Sequence, residues 1–340
     1  MADAWVVVGL DNGGNKNNAT VLDAEGEFLV KQLFERPSRV TEGPEIAVAA
    51  LAESFDDILQ RTRTERARVR AVGLDTPGPA SAEGVISQRG STNFAHPGWR
   101  SFDFRGALEA RLGLPVVYNN DGNAAALYAH YQLFGAAAPN RSSISAIVGT
   151  GLGGGVVEKG QVVRGAAGFA GELGHVHIPM QGLLAEGQPL PTCNCGFTGD
   201  VEAIASLTGI ETNLLPYWLS RYPEHELAKS DSIARAAKLV RSYGENGDAM
   251  ALRIFEQQAI AIGRLFTIAA NFMDPDAYFV GGGVVEAAPH FREWFLAKVR
   301  ENTQLKEEQE AVARFTVVPD LDMAGARGAA LAALRGVLAR

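Results

Sequence analysis

Two stretches of this chain place glycines where a backbone can come close to an anion. Near the N-terminus the residues run Gly9-Leu10-Asp11-Asn12-Gly13-Gly14-Asn15-Lys16, and later they run Val148-Gly149-Thr150-Gly151-Leu152-Gly153-Gly154-Gly155. Glycine lets a tight turn present its N–H groups to a phosphate. In each copy an apolar run precedes the turn and further strand-like runs follow it, so the chain reads as two related units. Asp11 ends the first apolar run, where a carboxylate meets ligands at the carboxyl end of a strand. It is expected on the phosphate side, directly or through Mg²⁺-bound water. A third cluster, Asn119-Asn120-Asp121-Gly122-Asn123, lies between a short apolar strand and an Ala-rich helix. Asp before a helix is most often an N-cap. Four amide or carboxylate side chains in five positions are more than a cap needs. A hydroxyl nucleophile needs a carboxylate within hydrogen-bond reach; Asp121 as general base, with Asn120 as orienter, meets that need.

A fourth group suggests a metal. Gly171-Glu172-Leu173-Gly174-His175 is followed by His177, Cys193, Cys195, Asp200 and Glu202. A histidine followed by a C-x-C pair fits a zinc cluster, and a carboxylate oxygen can complete four ligands. His175, Cys193 and Cys195 are the expected ligands, with the fourth position left open among the residues around them. Cysteines one residue apart rarely form a disulfide, and without a secretory signal the cytosol is the default compartment.

These residues need elements to hold them. The 340-residue chain is 46% hydrophobic, enough for two cores, and its net charge of -8 offers no basic stripe for nucleic acid. No apolar run reaches the ~20 residues of a membrane span. Strands are expected at Trp5–Leu10, Ala19–Leu22, Phe28–Phe34 and Val69–Leu74, and helices at Pro44–Gln60, Asn123–Phe134, Ser206–Leu227, Asp248–Phe272 and Ala324–Leu338. Strands and helices alternate after each glycine turn, which defines an α/β class. The expected division is residues 1–121, with a closing helix at about 323–340, against residues 122–322.

Taken together, the motifs resemble those of the ROK family of sugar kinases and sugar-responsive repressors. The family's D-x-G-G-T-K appears as Asp11–Lys16, its E-N-D-A-N-A-A as Asn119–Ala125, and its G-T-G-x-G-G-G as Gly149–Gly155. Its G-E-x-G-H is Gly171–His175, and its C-x-C-G-x-x-G-C-x-E is Cys193–Glu202. Asp274-Pro275 with Gly281, Gly282 and Gly283 is similar to its adenosine-side motif.

The resemblance implies an actin-like, ribonuclease H-like duplicated fold with two lobes around a nucleotide and sugar cleft. It implies an ATP-dependent hexose kinase acting on a sugar hydroxyl, most simply the 6-hydroxyl of glucose, with Asp121 as base. It places the sugar at Asn93, Asn120, Glu172, His175 and Glu202, with Gly78 close by, and the nucleotide at Asp11, Gly13, Gly14, Asn15, Lys16, Gly149, Thr150, Gly151 and Gly281–Gly283. ATP, Mg²⁺ and structural Zn²⁺ are the implied cofactors, and a cytoplasmic homodimer or dimer of dimers the implied assembly. Departures stand at Asn15 (Thr in the family), Asn119 (Glu) and Asp200, which takes the place of the family's third Cys and would complete the zinc set with His175, Cys193 and Cys195, His177 being in reserve. Those at Asn15 and Asn119, with the aromatic Tyr217 and Trp218, leave an amino sugar or a cyclitol-like compound as alternative substrate. A sugar-sensing protein without kinase activity is the alternative of another class. The family's repressors carry an N-terminal helix-turn-helix domain, for which a first strand beginning by Trp5 leaves no room.

Overall fold

The computed structural model describes residues 5–88 and 94–339. In chain order the first elements are β1 (Val6–Asn12), β2 (Lys16–Asp23), β3 (Glu35–Pro37), α1 (Pro44–Thr62), β4 (Val69–Thr76), α2 (Phe104–Leu112), β5 (Val116–Asn120) and α3 (Asp121–Phe134). There follow β6 (Ser143–Val148), β7 (Leu152–Glu158), β8 (Gln161–Val162), α4 (Leu207–Gly209), α5 (Leu215–Arg221), α6 (Ile233–Glu245) and α7 (Ala249–Met273). The chain closes with β9 (Ala277–Gly282), α8 (Pro289–Glu301), α9 (Glu307–Glu310), β10 (Arg314–Val317) and α10 (Leu321–Leu338).

Two five-stranded sheets repeat one plan. The first is ordered β3-β2-β1-β4-β5 and the second, read the same way, β8-β7-β6-β9-β10. In each, the central strand lies parallel to the third strand of the motif: β1 to β4, and β6 to β9. The duplication read from the two glycine turns is therefore a duplication of topology.

Period-2 alternation sorts the side chains of the first sheet. Val6, Val8, Leu10, Val72 and Leu74 join α1 residues such as Leu51, Phe55 and Ile58 in one buried cluster. The alternate positions face α10. There Gly9 and Gly73 let the helix backbone lie against the sheet, since a Cβ on either would collide with a carbonyl oxygen, of Ala326 or Ala329. Gly328 of α10 meets the Ala124 carbonyl of α3 in the same way. Small residues are needed here because helix and strand backbones touch.

By compactness the chain separates into two units. One takes in the chain up to Pro139, Gly155–Gly171, and the segment from Pro319 onward; the other holds Asn140–Gly154 and Glu172–Val318. The boundary expected at residue 121 is thereby moved: α3 packs on α10 and stays with the first unit, as does the stretch bearing β8. In the second unit, α7 packs on α6, α8 and β6. Asp248 caps α7, its carboxylate accepting the Ala251 N–H at 2.8 Å.

Two expected elements differ. The strand expected at Phe28–Phe34 is irregular; a single bridge, Leu22 to Phe28, precedes the regular pairing of Glu35–Pro37 with β2. Phe28 instead turns its ring to Tyr128 and Arg327, which breaks strict alternation. The helix expected across Ser206–Leu227 divides into α4, a π-helical turn and α5, and ends before Pro223.

Candidate functional site

In the first unit, β1 and β4 run parallel and in register, so Asp11 and Asp75 stand side by side at their carboxyl ends. Both face α10, where a Cβ on Gly325 would lie 2.9 Å from Asp11 Cγ and 3.0 Å from Asp75 Oδ2. Asn18 donates to Asp11 Oδ2 at 3.0 Å. Asp75 is fully buried. Burial first, and then the Asp11 charge beside it, push its pKa well above the usual carboxylate range. Burial also raises Asp11. The two carboxyls therefore keep a proton to higher pH than isolated ones would.

The sign of that shift is testable. An unfolded chain releases the Asp75 proton near pH ~3.9, whereas the fold retains it to higher pH. Folding therefore binds a proton in that window, and stability falls as pH rises through it. Asp75→Asn should melt higher than wild type at pH 8, with the difference shrinking toward pH 4. In a unit of this size each kcal/mol recovered is worth about 2–4 °C. Thermal melts of both proteins across this range check it; a difference that does not change with pH contradicts the assignment.

The first glycine turn is a tight hairpin, with the Gly13 N–H bonded to the Lys16 carbonyl at 2.8 Å. Asn15 is exposed, and its carbonyl accepts the Ser38 N–H at 3.0 Å. Lys16 reaches Glu35 at 2.6 Å. Gly78 follows β4 in the half-buried Pro77-Gly78-Pro79 turn, whose Gly78–Pro79 bond is cis. Asn93 lies outside the described residues.

At the β5–α3 junction Asn120, not Asp121, is the N-cap. Its Oδ1 accepts the Gly122 N–H at 2.9 Å, and Asp121 Oδ1 takes the same N–H at 2.7 Å. Asp121 is the first helical residue and is exposed. The cap is supplied by its neighbour, so chemistry at Asp121 is separable from helix stability.

The second unit gathers Glu172, His175 and Glu202 with the second glycine turn. Glu202 Oε2 accepts the Leu152 N–H at 2.8 Å, and its own N–H bonds to the Gly174 carbonyl at 2.8 Å. A Cβ at Gly151 would stand 2.5 Å from Glu202 Oε2, so the turn must be glycine for the carboxylate to reach it. Burial raises the Glu172 pKa, with His175 opposing and Glu202 adding to the rise.

The four expected metal ligands come together. Their donor atoms all lie within 4.8 Å of one another. His175 Nδ1 is 3.3 Å from Asp200 Oδ2, Cys195 Sγ is 3.6 Å from the same oxygen, and Cys193 Sγ is 3.9 Å from His175 Nδ1. Zinc bonds of 2.0–2.3 Å imply tetrahedral edges of about 3.3–3.8 Å, so two of these edges match and the others need a small inward shift to hold zinc. Asp200 is fully buried beside two thiols, a placement that favours a cation. Burial and the Asp200 charge push the Cys193 thiol up. His177 is outside the group; it is exposed, its ring edge against Phe197.

A pocket of about 340 Å³ in the second unit is lined by Gly149, Thr150 and Gly283, three of the expected nucleotide residues. Sequence reasoning missed the others on its wall, among them Lys238, Arg241 and Gln258. Arg241 donates to the Gly283 carbonyl at 2.5 Å. Gln258 is buried, and its Nε2 bonds the Ile204 carbonyl at 3.1 Å while Oε1 has no partner among the described residues. Lys238 and Arg241 lie on α6, one helical turn apart, and nothing in their sequence context marks them. Gly281 and Gly282 are buried in β9, and a Cβ on Gly282 would strike the Val148 carbonyl. Their place is to let strands pack.

Duplicated sheets of this order, with a glycine turn opening each, define an actin-like α/β fold built for phosphate chemistry. The ROK family model matches residues 7–335, and the chain belongs to the ROK family. A glucokinase of Halalkalibacterium halodurans is 31% identical over 317 residues, covering 90% of this chain and 91% of that one. The ROK hexokinase of Thermus thermophilus superposes with a TM-score of 0.76 at 32% identity, covering 98% of this chain and all of that one (100%). A ROK glucokinase of Streptomyces griseus, solved with glucose and AMPPNP, gives 0.66 at 27% identity, covering 97% and 100%. Among the described residues no helix is long and apolar enough to cross a membrane.

Proposed function

We propose that this chain is an ATP-dependent hexose kinase. The observation that carries the reading is the placement of Asp121. It is an exposed carboxylate at the first turn of α3, in a junction whose cap is already provided by Asn120. The glucokinase and hexokinase relatives support the same reaction. In it Asp121 takes the proton of a sugar hydroxyl, the 6-hydroxyl of glucose in the simplest case, as that oxygen attacks the γ-phosphorus of ATP. The bond from the γ-phosphorus to the bridging oxygen breaks, and ADP leaves. Asn120, Glu172, His175 and Glu202 orient the other hydroxyls. In the two glycine turns the Gly13 and Gly149 N–H groups are bonded within the turn, and the N–H groups of Gly14, Thr150 and Gly151 would cradle phosphate. Catalysis in this class is mostly positioning and charge stabilisation. Mg²⁺ bound with ATP would supply further positive charge at the phosphates.

The pocket at Gly149 and Gly283 suits the nucleoside. Its volume of about 340 Å³ is of ordinary ligand size, and the unpartnered Gln258 Oε1 at its wall would accept from an exocyclic amine. His175, Cys193, Cys195 and Asp200 would hold zinc in a structural role, fixing the loop that carries Glu202 and orienting His175. A cytoplasmic homodimer is part of the proposal; light scattering on the purified protein tests its assembly.

Asn15 tests the donor side. Its side chain is exposed at the first glycine turn, where the resembling motif carries Thr. A shorter hydroxyl approaches phosphate without displacing the Gly13-Gly14 backbone. Asn15→Thr is expected to lower the KM for ATP or raise kcat. A clear loss of activity in steady-state assays would show Asn15 fitted to another donor, such as polyphosphate.

A further inference from the structure

A second pocket, of about 250 Å³, lies wholly within the first unit, away from the turns assigned to nucleotide. Arg164, Arg335, Asn119 and Gln161 line it, with Leu127 and Ala332 as apolar wall. Arg164 donates to Asn119 Oδ1 at 2.9 Å. That bond turns the Asn119 amide so that its Nδ2 is a donor without an acceptor among the described residues, on a side chain only 4% exposed. Arg335 reaches the pocket from α10, its guanidinium over the Tyr131 ring at 5.4 Å. Neither arginine has a carboxylate within ion-pair distance among the described residues; Glu83 acts on Arg164 only at longer range. Burial lowers the pKa of both guanidinium groups, which means that each charge is partly desolvated without a countercharge.

Two uncompensated cations and a buried amide donor around one small hollow form an incomplete constellation. Planar guanidinium forks match phosphate oxygens in pairs, and a buried N–H without an acceptor is destabilising until one is supplied. A neutral ligand would satisfy the amide but leave both charges. We propose that this pocket is a binding site for a phosphate group, entering as inorganic phosphate or as a small phosphate monoester. Arg164 and Arg335 would grip its oxygens and Asn119 Nδ2 would donate to a third. The site adjoins the β5–α3 junction, since Asn119 immediately precedes Asn120 and Asp121 in the chain.

The test is calorimetric titration of inorganic phosphate, and separately of glucose 6-phosphate, into the full chain. Saturating AMPPNP and glucose keep the proposed active site occupied. One saturable phosphate per chain is expected from at least one of the two, and the pair of titrations shows which source the pocket takes. Arg335→Met should weaken binding at least 10-fold. Asn119→Asp, which places a fixed negative charge beside Arg164, should do the same. Arg335→Lys, which keeps charge but loses the fork, should fall between wild type and Arg335→Met. Should Arg335→Met fail to fold by thermal melting, Asn119→Asp and Arg335→Lys decide. No saturable binding, or binding that Asn119→Asp leaves unchanged, overturns the proposal. The inference does not rest on the kinase reading, because the variants report on phosphate binding and not on turnover.

Discussion

Asp121→Asn is expected to cut phosphoryl transfer about 10²–10⁴-fold, the usual cost of losing a general base. The loss should fall on kcat. The amide keeps the size of the side chain, and the N-cap of α3 is Asn120, whose Oδ1 holds the Gly122 N–H at 2.9 Å. Helix and sugar affinity should therefore survive, so that equilibrium glucose binding changes little while turnover collapses. Calorimetry for binding and a coupled assay for ADP separate the two. Near-normal turnover would remove Asp121 from the role. Glu172 would then be next in line, because its carboxyl is already raised toward neutrality by burial.

The second large effect concerns zinc. Protein purified without added metal is expected to hold one zinc per chain, and Cys193→Ser to lose it. Cys193 Sγ lies 3.5 Å from Glu202 Oε1, and Asp200 accepts the Ala203 N–H at 2.9 Å. The same ligands therefore position the segment that carries Glu202 to the second glycine turn. Outer partners of this kind typically cost 10–100-fold when removed, so a rise in sugar KM of about that size is expected, with a smaller change in kcat. Elemental analysis of both proteins, read beside the kinetics, decides. A zinc content near zero in fully active wild type would mean that hydrogen bonding among Cys193, Cys195, His175 and Asp200 holds the turn without metal.

Much of the site was legible because its parts are local. Asp11 and Gly13-Gly14 sit at one strand end, and Asn120-Asp121 at one strand-to-helix junction, so type and spacing show their local placement. The metal group was legible for a similar reason: Cys193 and Cys195 share a turn, and Asp200 follows within a few residues. Residues that become functional only through tertiary register were not. Asp75 lies in β4, and its meaning comes from lying beside Asp11 across β1 and β4, a pairing that no local spacing reveals. Lys238, Arg241 and Gln258 reach the pocket beside Gly149 and Gly283 from α6 and α7; no helix was expected at α6, and α7 carried no site signal. Arg335 sits in an Ala-rich closing helix that gives no sign of a ligand. Gly281 and Gly282 lie buried in β9, where a Cβ on Gly282 would strike the Val148 carbonyl, a packing demand the sequence alone did not show. The strand displaced from Phe28–Phe34 to Glu35–Pro37 shows the same limit: Phe28 is taken by Tyr128 and Arg327, partners far away in sequence.

The claim that this is a hexose kinase is tested most directly by coupled detection of ADP. The purified chain is given ATP and Mg²⁺ with a panel of hexoses, amino sugars and cyclitols, each at saturating concentration. The account predicts ADP release that depends on a hexose, with one sugar phosphate formed per ADP. ATP turnover indifferent to every sugar, or none with any of them, would contradict it.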